Sequence, residues 1–470
     1  MLFSALPILW LCLVSSMAWA EDVRPNLILL SMDTTRADAL SCYGQPGDIR
    51  HPIPDATPNL DLLAEEGIRF TQFYTHAPTT LNAHSTMMTG LDPHAHGVPA
   101  NGFPLAEEFP TLAERLARQG YQTIAVVGAG ALQSEMGLDR GFEVYDDTMS
   151  VQRNVMFQDT AEGVVARVVK ALGEHRDGRP LFLFVHFYDP HGPLTPESAF
   201  KQRFVVGEVD TRLGGEWNRP SYLRRLEAGE VTREERDYVA SLYLAEVSYM
   251  DHHIGSLLRV LEREGSMKQA LVVATADHGQ ILARRGRLAF THGYDVSREV
   301  MHVPLIFRGY GIGVGARRTV NTVLGMSGLA ATIERTLGLA PTLGNTPDFW
   351  GLVRPGPVWD GGHWPTRPAY PVHMEATRSP SEPDGESWNN LRYHRGVRVG
   401  PWMLYRYPLR PKEERRTVFK GTGAMRNLLD TQLRRWDAQA PPYRPVVYGD
   451  ETREMLRALG YLPEQTSSAP

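Results

Sequence analysis

Short apolar runs alternate with amphipathic stretches along this chain, and the two patterns predict strands and helices in turn. Apolar runs typical of strands buried on both faces of a parallel sheet occupy residues 27–32, 123–127, 181–185 and 270–274. Helical spacing predicts helices that begin near Pro58, Thr111, Thr160 and Thr232, the last with Glu235 completing a capping box. This alternation predicts an α/β fold, a doubly wound and mostly parallel sheet flanked by helices.

A stretch rich in proline, glycine and tryptophan, residues 347–371, interrupts the alternation and is interpreted as a linker. It separates an α/β domain, residues 21–346, from a small C-terminal α+β subdomain, residues 372–470, which ends in a polar tail. Within the subdomain, the alternation over residues 395–405 predicts an edge or antiparallel strand.

Composition changes this picture little. A chain of 470 residues with 42% hydrophobic and 22% charged residues is an ordinary globular protein with a large core. The net charge of −5 comes without a concentrated stripe of lysine and arginine, so nucleic acid is not an expected partner. Nothing in the sequence indicates an oligomeric state.

The first residues predict export. Residues 1–20 contain an apolar stretch and end on Ala18-Trp19-Ala20, a pattern typical of a cleavable secretory signal peptide. An uncleaved anchor is the alternative, although the apolar run is shorter than the ~20 residues that a bilayer needs. Cys12 lies inside the signal, which leaves Cys42 alone in the mature chain, so no intramolecular disulfide is expected. We expect a secreted or periplasmic protein, as in a Gram-negative bacterium, with no transmembrane span after residue 20.

Acidic residues follow the predicted strands at their carboxyl ends, where functional groups gather in such sheets. Asp33 follows the first strand, Asp189 comes after the third, and Asp277-His278-Gly279 follows the fourth. Carboxylate and imidazole together suit a divalent cation, and the sequence does not choose among Ca²⁺, Mg²⁺, Mn²⁺ and Zn²⁺. Each motif alone is also compatible with a helix cap. The two clusters together favour a metal site.

A loop with hydroxyl groups, residues 77–84, lies between these clusters. Thr80 precedes residues 83–88, which are predicted to open a helix, so its hydroxyl would lie at the positive end of the helix dipole. A metal in contact with this hydroxyl would make it a nucleophile. The alternative is that Thr79 or Thr80 merely caps the helix. His84, one turn later, is expected to bind the anionic group of a substrate or to orient the nucleophile.

Three further histidines follow the strands. His191 and His292 are expected to bind substrate oxygens or to protonate a leaving group. His186 is expected to pack within its strand with its ring hydrogen-bonded locally.

These residues resemble the sulfatase group of the alkaline phosphatase superfamily, over most of the mature chain. The matching segments, each weak alone but specific in this order, are residues 25–44, 57–70, 89–98, 189–191, 277–279, 299–304 and 456–461. The resemblance implies the α/β fold predicted above and metal-dependent hydrolysis of a small anionic ester.

Departures from the family pattern bear on the chemistry. Sulfatases begin their signature with Cys or Ser, which is oxidised to formylglycine, and carry Pro and Arg two and four residues later. Here these positions hold Thr80, Asn82 and His84. Threonine has a methyl group on the carbon that must become an aldehyde, so it cannot give formylglycine. Relatives that transfer phosphate use a plain Thr or Ser, and by resemblance Thr80 would attack phosphorus and form a phosphothreonine that water releases.

A second departure concerns the metal. Thr34 stands where many sulfatases carry another metal-binding Asp, so the resemblance leaves Asp33, Thr80, Asp277 and His278 as ligands of one divalent cation. Two-metal relatives place an Asp four residues before a His. Here Phe187 holds that position before His191, with Asp189 as the candidate substitute, and one cation is expected rather than two.

The sequence therefore predicts an exported metal-dependent hydrolase of phosphate, phosphonate or sulfate esters. A true sulfuric ester hydrolase that works without formylglycine is one alternative. A non-catalytic binding protein is another, supported by the off-pattern residues Thr34, Asn82 and His84. A lipid-head-group phosphotransferase is a third, but such enzymes usually carry membrane spans, and the sequence predicts none after residue 20.

Overall fold

A computed structural model describes residues 24–44, 55–149, 158–205, 225, 228–282, 291–313, 316–341, 347–355, 370–377, 393–406, 422–440, 449–450 and 453–454. The predicted signal peptide, the polar tail and the motif at residues 456–461 lie outside these described residues.

The strands are β1 (Asn26–Met32), β2 (Ile68–Phe70), β3 (Phe73–Tyr74), β4 (Gln122–Val127), β5 (Val144–Asp146), β6 (Leu181–Phe187), β7 (Ala270–Thr275), β8 (Leu305–Gly309), β9 (Arg318–Val320), β10 (Leu324–Gly325), β11 (Val372–Thr377), β12 (Tyr393–Val399) and β13 (Trp402–Arg406). The α-helices are α1 (Pro58–Glu66), α2 (Thr80–Thr89), α3 (Pro93–His96), α4 (Leu112–Arg118), α5 (Ala161–His175), α6 (Ser198–Phe204), α7 (Arg233–Arg263), α8 (Arg298–Met301), α9 (Leu329–Thr336), α10 (Trp350–Val353) and α11 (Gly423–Asp437).

An eight-stranded sheet in the order β5-β4-β6-β1-β7-β8-β2-β9 forms the centre of the molecule. Its first five strands pair in parallel, whereas β8 runs antiparallel to both β7 and β2. Strands β4, β6 and β7 are buried along their whole length, and β1 is buried after its first residue. The predicted mostly parallel α/β sheet is confirmed, and β1 lies at its centre.

The helix signals in the sequence correspond to structure at α4, α5 and α7. Thr111 and Thr232 each form a capping box with the glutamate three residues later, which satisfies N–H groups at the start of α4 and α7. Among the described residues, no helix combines the length and the apolar content that crossing a membrane requires.

Helix α2 begins earlier than the sequence predicted. Thr79 has an extended backbone and precedes the helix, so Thr80 is its first residue rather than a residue before it. All ten side chains of α2 are buried, including the polar Asn82 and His84. These buried polar residues interrupt the apolar spacing, which explains why the pattern placed the start at residue 83.

The C-terminal residues form an antiparallel sheet, β11-β12-β13, covered by α11. The single strand predicted over residues 395–405 is wrong, because the chain turns at Gly400 (φ +56°) and forms a hairpin of two strands. At the start of the predicted linker, Phe349 and Val353 are buried in the main core, so residues 347–355 pack with the large sheet.

Candidate active site

Two carboxylates meet at one edge of the sheet because β1 and β7 are parallel neighbours. Asp33 directly follows β1, and Asp277 comes two residues after β7. Both are fully buried, with 0% of their surface exposed. The edge predicted from the sequence thus brings Asp33, Asp277 and His278 together.

Several atoms of this cluster are hydrogen-bond acceptors that face one another. Oδ1 of Asp277 accepts the backbone N–H groups of Thr34 (3.2 Å) and His278 (2.7 Å). Its Oδ2 lies 3.4 Å from Nε2 of His278, which in turn lies 3.9 Å from Oδ1 of Asp33. Because Nδ1 of His278 faces the carbonyl oxygen of Gly279 at 3.0 Å, Nδ1 carries the proton and Nε2 presents a lone pair.

These acceptors are unsatisfied within the described part of the chain. Oδ2 of Asp277 and Nε2 of His278 have no hydrogen-bond partner there, and the Thr34 N–H and the Thr80 hydroxyl approach the Asp33 carboxylate without forming well-aligned hydrogen bonds. Buried polar atoms are nearly always paired, so each exception needs an explanation. One donor atom from each of the three residues lies within 4.8 Å of the others. Two oxygen donors and one nitrogen donor fit a divalent cation.

Electrostatics support this interpretation. Burial raises the pKa of Asp33 well above its usual value, and burial together with the Asp33 charge does the same for Asp277. Burial also lowers the pKa of His278 to about 3, so its ring is neutral at ordinary pH. Two adjacent buried carboxylates without a positive partner repel each other, and a divalent cation supplies the missing charge.

The loop after β1 has a strained backbone. Thr34 has φ +51°, a left-handed conformation that is rare for a β-branched residue. The hydroxyl of Tyr243 on α7 donates to the Thr34 carbonyl (2.9 Å) and accepts the N–H of Arg36 (3.0 Å). Tyr243 therefore holds the loop in the shape that aims the Thr34 N–H at Asp277. Nothing in the sequence marks Tyr243 as functional, because it falls in the apolar stripe of α7 and is expected to pack in the core.

Thr80 lies beside these carboxylates. As the first residue of α2 it is almost fully buried, and its hydroxyl is close enough to Asp33 to lower the pKa of that carboxyl. This interaction offsets only part of the increase caused by burial. The candidate nucleophile and the candidate metal ligands therefore form one cluster.

His84 fixes the first turn of α2. Its Nδ1–H donates to the Thr80 carbonyl (2.7 Å), and its Nε2 lies 2.8 Å from the hydroxyl of Ser31, which donates to it. The ring is fully buried, and burial lowers its pKa well below the usual value. Of the two expected roles, this geometry suits orientation of Thr80 rather than contact with a substrate anion.

His191 and His292 form a half-buried pair beside the cluster. Their Nε2 atoms are 3.1 Å apart, and their Nδ1 atoms face the carbonyl oxygens of Gly192 (2.8 Å) and Pro78 (3.2 Å). The His292 ring also stacks on His278, with ring centroids 4.4 Å apart. A hydrogen bond between the two Nε2 atoms requires a proton between them, so the pair can carry a proton next to the metal ligands.

One expectation for the strand end after β6 is wrong. His186 is not satisfied within its strand, because neither ring nitrogen has a hydrogen-bond partner in the ranges described above. Its Nε2 instead lies 3.5 Å from Oδ2 of Asp33. The signal in the sequence was a polar residue inside an otherwise apolar buried run. Asp189, the candidate donor for a second metal, accepts the N–H of Ala161 (2.7 Å) and so serves the start of α5.

Comparisons with known proteins identify the family. A family model described as Sulfatase matches residues 25–339. An arylsulfatase of Clostridium perfringens is 21% identical over 315 residues, which cover 55% of this chain and 64% of the relative. The chain thus spans a little under two thirds, 64% and 65%, of the first two curated relatives that it matches.

Solved structures share the fold. BT4656, solved in complex with its substrate D-glucosamine-2-N,6-O-disulfate, matches with a TM-score of 0.66 and 18% identity over 89% of this chain and 98% of its own. A phosphonate monoester hydrolase of Agrobacterium radiobacter matches with a TM-score of 0.64 and 19% identity over 89% and 96%. Because the Sulfatase model spans residues 25–339 of 470, including every residue of the cluster, this chain belongs to the sulfatase family.

Proposed function

We propose that this protein is an exported, metal-dependent hydrolase that cleaves a small phosphate or phosphonate ester with Thr80 as the nucleophile. The observation that carries the proposal is the position of the Thr80 hydroxyl, at the first residue of α2 and beside the Asp33 carboxylate. Export is inferred from the signal-like residues 1–20.

Asp33, Asp277, His278 and Thr80 are the residues that would hold the metal. The unsatisfied atoms of Asp33, Asp277 and His278 support this assignment, and they do not select among Ca²⁺, Mg²⁺, Mn²⁺ and Zn²⁺. A bound divalent cation supplies positive charge that favours the alkoxide form of a coordinated hydroxyl.

The chain's own groups then account for the bond changes. The Oγ1 atom of Thr80 forms a bond to phosphorus while the bond from phosphorus to the ester oxygen breaks. The threonine proton passes to solvent, and the proton held by the His191–His292 pair passes to the departing oxygen. A water molecule then attacks the phosphothreonine, which restores the Thr80 hydroxyl and releases phosphate or phosphonate.

Threonine chemistry favours phosphorus over sulfur in this proposal. Formylglycine cannot form at Thr80, and a plain alcohol is the nucleophile that phosphate-transferring relatives use. The fold accommodates both chemistries, since its structural neighbours include a phosphonate monoester hydrolase and a protein solved with a disulfated glucosamine substrate. A sulfuric ester hydrolase that works by another route is the second candidate, favoured by the family match itself.

A panel of 4-nitrophenyl phosphate, its diester, a phenylphosphonate ester and 4-nitrophenyl sulfate, each with Mg²⁺, Ca²⁺, Mn²⁺ and Zn²⁺, tests the proposal. We expect turnover of a phosphorus ester that Thr80→Ala abolishes, and a phosphothreonine at residue 80 detectable by mass spectrometry. Thr79→Ala is the matched control, since it removes the neighbouring hydroxyl. Turnover of sulfate alone that survives Thr80→Ala contradicts the mechanism, and a protein without turnover or bound metal is the non-catalytic binding protein.

A further inference from the structure

The carboxylate of Asp33 faces two different histidines. Its Oδ1 lies 3.9 Å from Nε2 of His278, and its Oδ2 lies 3.5 Å from Nε2 of His186. The register explains the second contact. Ser31 pairs with His186 across β1 and β6, and the N–H of Asp33 bonds the carbonyl of Phe187. Asp33 is two residues beyond Ser31, so it lies on the same face of the sheet as His186.

His186 is a buried imidazole without an assigned partner. Its ring is 0% exposed, and neither nitrogen has a hydrogen bond within the described ranges. Such a group is costly to bury unless something absent from the protein chain occupies the space in front of it.

The space next to His186 is bounded by donors. Ligand atoms of His84, His186 and Asp277 lie within 4.8 Å of one another. Both nitrogens of His84 are already hydrogen-bonded, to Thr80 and Ser31, so His84 borders this space without offering a donor atom. The donors that remain are His186 and the unsatisfied Oδ2 atoms of Asp33 and Asp277.

We propose that His186, Asp33 and Asp277 form a second divalent-cation site next to the first, with the two carboxylates shared between the sites. The inference rests on the proposed function, because it extends the same cluster. Carboxylates that bridge cations about 3.5–4 Å apart are typical of two-metal phosphoryl-transfer sites. The site lies on the β6 side of Asp33 and does not use Asp189, whose Oδ2 is bonded to α5.

Charge gives the second site a function. Ionised Asp33 and Asp277 carry two negative charges. One divalent cation balances the carboxylates alone, whereas a phosphate monoester dianion adds two further charges. A second cation balances those charges, so the paired site suits a dianionic phosphate ester better than a monoanionic sulfate ester. One imidazole in each site favours Mn²⁺ or Zn²⁺ over Ca²⁺.

Metal stoichiometry tests the proposal without relying on activity. The full chain is stripped with a chelator, reloaded with Mn²⁺, and measured by elemental analysis and electron paramagnetic resonance. We expect two Mn²⁺ per wild-type chain with a magnetically coupled spectrum, and one Mn²⁺ with an uncoupled spectrum in His186→Ala. The exposed His252 on α7 gives the control variant His252→Ala, which keeps both ions.

The variant His186→Asn controls for misfolding and tests whether His186 acts only through a hydrogen bond. His186→Asn restores a donor that can bond Asp33, so a purely hydrogen-bonding histidine is rescued by this variant, whereas a ligand is not. One Mn²⁺ in the wild type, or a coupled pair that survives both variants, overturns the second site. One Mn²⁺ together with phosphatase activity that depends on Thr80 overturns only this inference. No bound metal and no turnover overturn the proposed function as well.

Discussion

Two aspartates, Asp251 and Asp277, are about equally buried, but the hydrogen-bond partners of their carboxylate oxygens differ. Asp251 on α7 is 1% exposed and accepts N–H groups at both oxygens, from Leu60 (2.9 Å) and from the backbone and side chain of Asn59 (3.1 and 2.8 Å). Asp277 is 0% exposed, yet its Oδ2 has no partner among the described residues and faces a second carboxylate and an imidazole lone pair.

The difference is the one expected between a structural carboxylate and a proposed metal ligand. Asn59 and Leu60 lie in the first turn of α1, whose N–H groups lack partners within their own helix, so Asp251 completes that helix and ties it to α7. Oδ1 of Asp277 accepts two N–H groups, but no donor among the described residues bonds its Oδ2. Burial alone therefore does not indicate function. What does is whether each buried carboxylate oxygen has a hydrogen-bond partner.

Asp277→Asn gives the largest expected effect. We expect turnover to fall by roughly 10³-fold, equivalent to about 4 kcal/mol, because the cation loses a negatively charged ligand. The metal-free protein should become no less stable, since the repulsion between Asp33 and Asp277 is removed. Steady-state kinetics and thermal unfolding of the chelated protein measure the two effects.

The response to added metal is the control for this variant. Divalent cation should raise the melting temperature of the wild type by preferential binding to the folded state, and raise that of Asp277→Asn much less. If the chelated variant melts well below the chelated wild type, Asp277 has a structural role like that of Asp251, and the comparison fails.

Asp251→Ala should show the reverse pattern. Three N–H bonds from Asn59 and Leu60 lose their acceptor, so at pH 4 we expect a loss of about 1–3 kcal/mol in the free energy of unfolding. Turnover per folded molecule should stay within about twofold, because Asp251 lies outside the cluster. Denaturant titration and activity normalised to the folded fraction measure these quantities. A large loss of turnover in fully folded protein would contradict the structural role.

The stability difference between the wild type and Asp251→Ala should depend on pH with a defined sign. Burial raises the pKa of Asp251 from its usual range to about 6, so the folded state binds its proton more tightly than the unfolded state. The wild type therefore loses stability from this group as pH rises from about 4 to 6. Asp251→Ala lacks the group, so the gap between the two proteins should narrow over that window. A gap that widens with pH means that the carboxylate is stabilised in its charged form.

The sequence predicted one half of the active site better than the other. The runs ending at Asp33 and Asp277 were recognisable because strands buried on both faces are continuously apolar, and parallel neighbours end at one edge. His186 was assigned wrongly because its role depends on β6 lying beside β1, a pairing of segments about 155 residues apart. No local pattern encodes that neighbour.

Similar reasons account for the other differences. The start of α2 was displaced because its buried polar residues mimic a loop, although they are buried against the cluster. Asp189 resembled a metal ligand until α5 was placed against it. The hairpin at Gly400 was missed because the alternation continues through both strands, although Gly400-Pro401 is itself a turn signal in the sequence. In each case the local pattern exists in the sequence, but its structural role depends on how the segment packs in the fold.

The smallest expected effect comes from Tyr243, which contacts no candidate ligand side chain. Tyr243→Phe removes the hydroxyl that bonds both the Thr34 carbonyl and the Arg36 N–H. The strained turn at Thr34 should then relax, and its N–H should no longer hold Asp277 in place. We expect metal affinity to fall by about tenfold, the lower end for residues that support metal ligands. Competition titration with a fluorescent chelator measures the affinity.

Tyr238→Phe on the same helix is the matched control, because Tyr238 is also buried and lies more than one helical turn before Tyr243. Its affinity should equal that of the wild type. Equal losses in the two variants would mean that any buried tyrosine of α7 acts through general packing. A loss confined to Tyr243→Phe, with unchanged unfolding of the chelated protein, would mean that the unsatisfied oxygen of Asp277 is held in position by the loop. The contrast with Asp251 would then extend from the two carboxylates to the residues that position them.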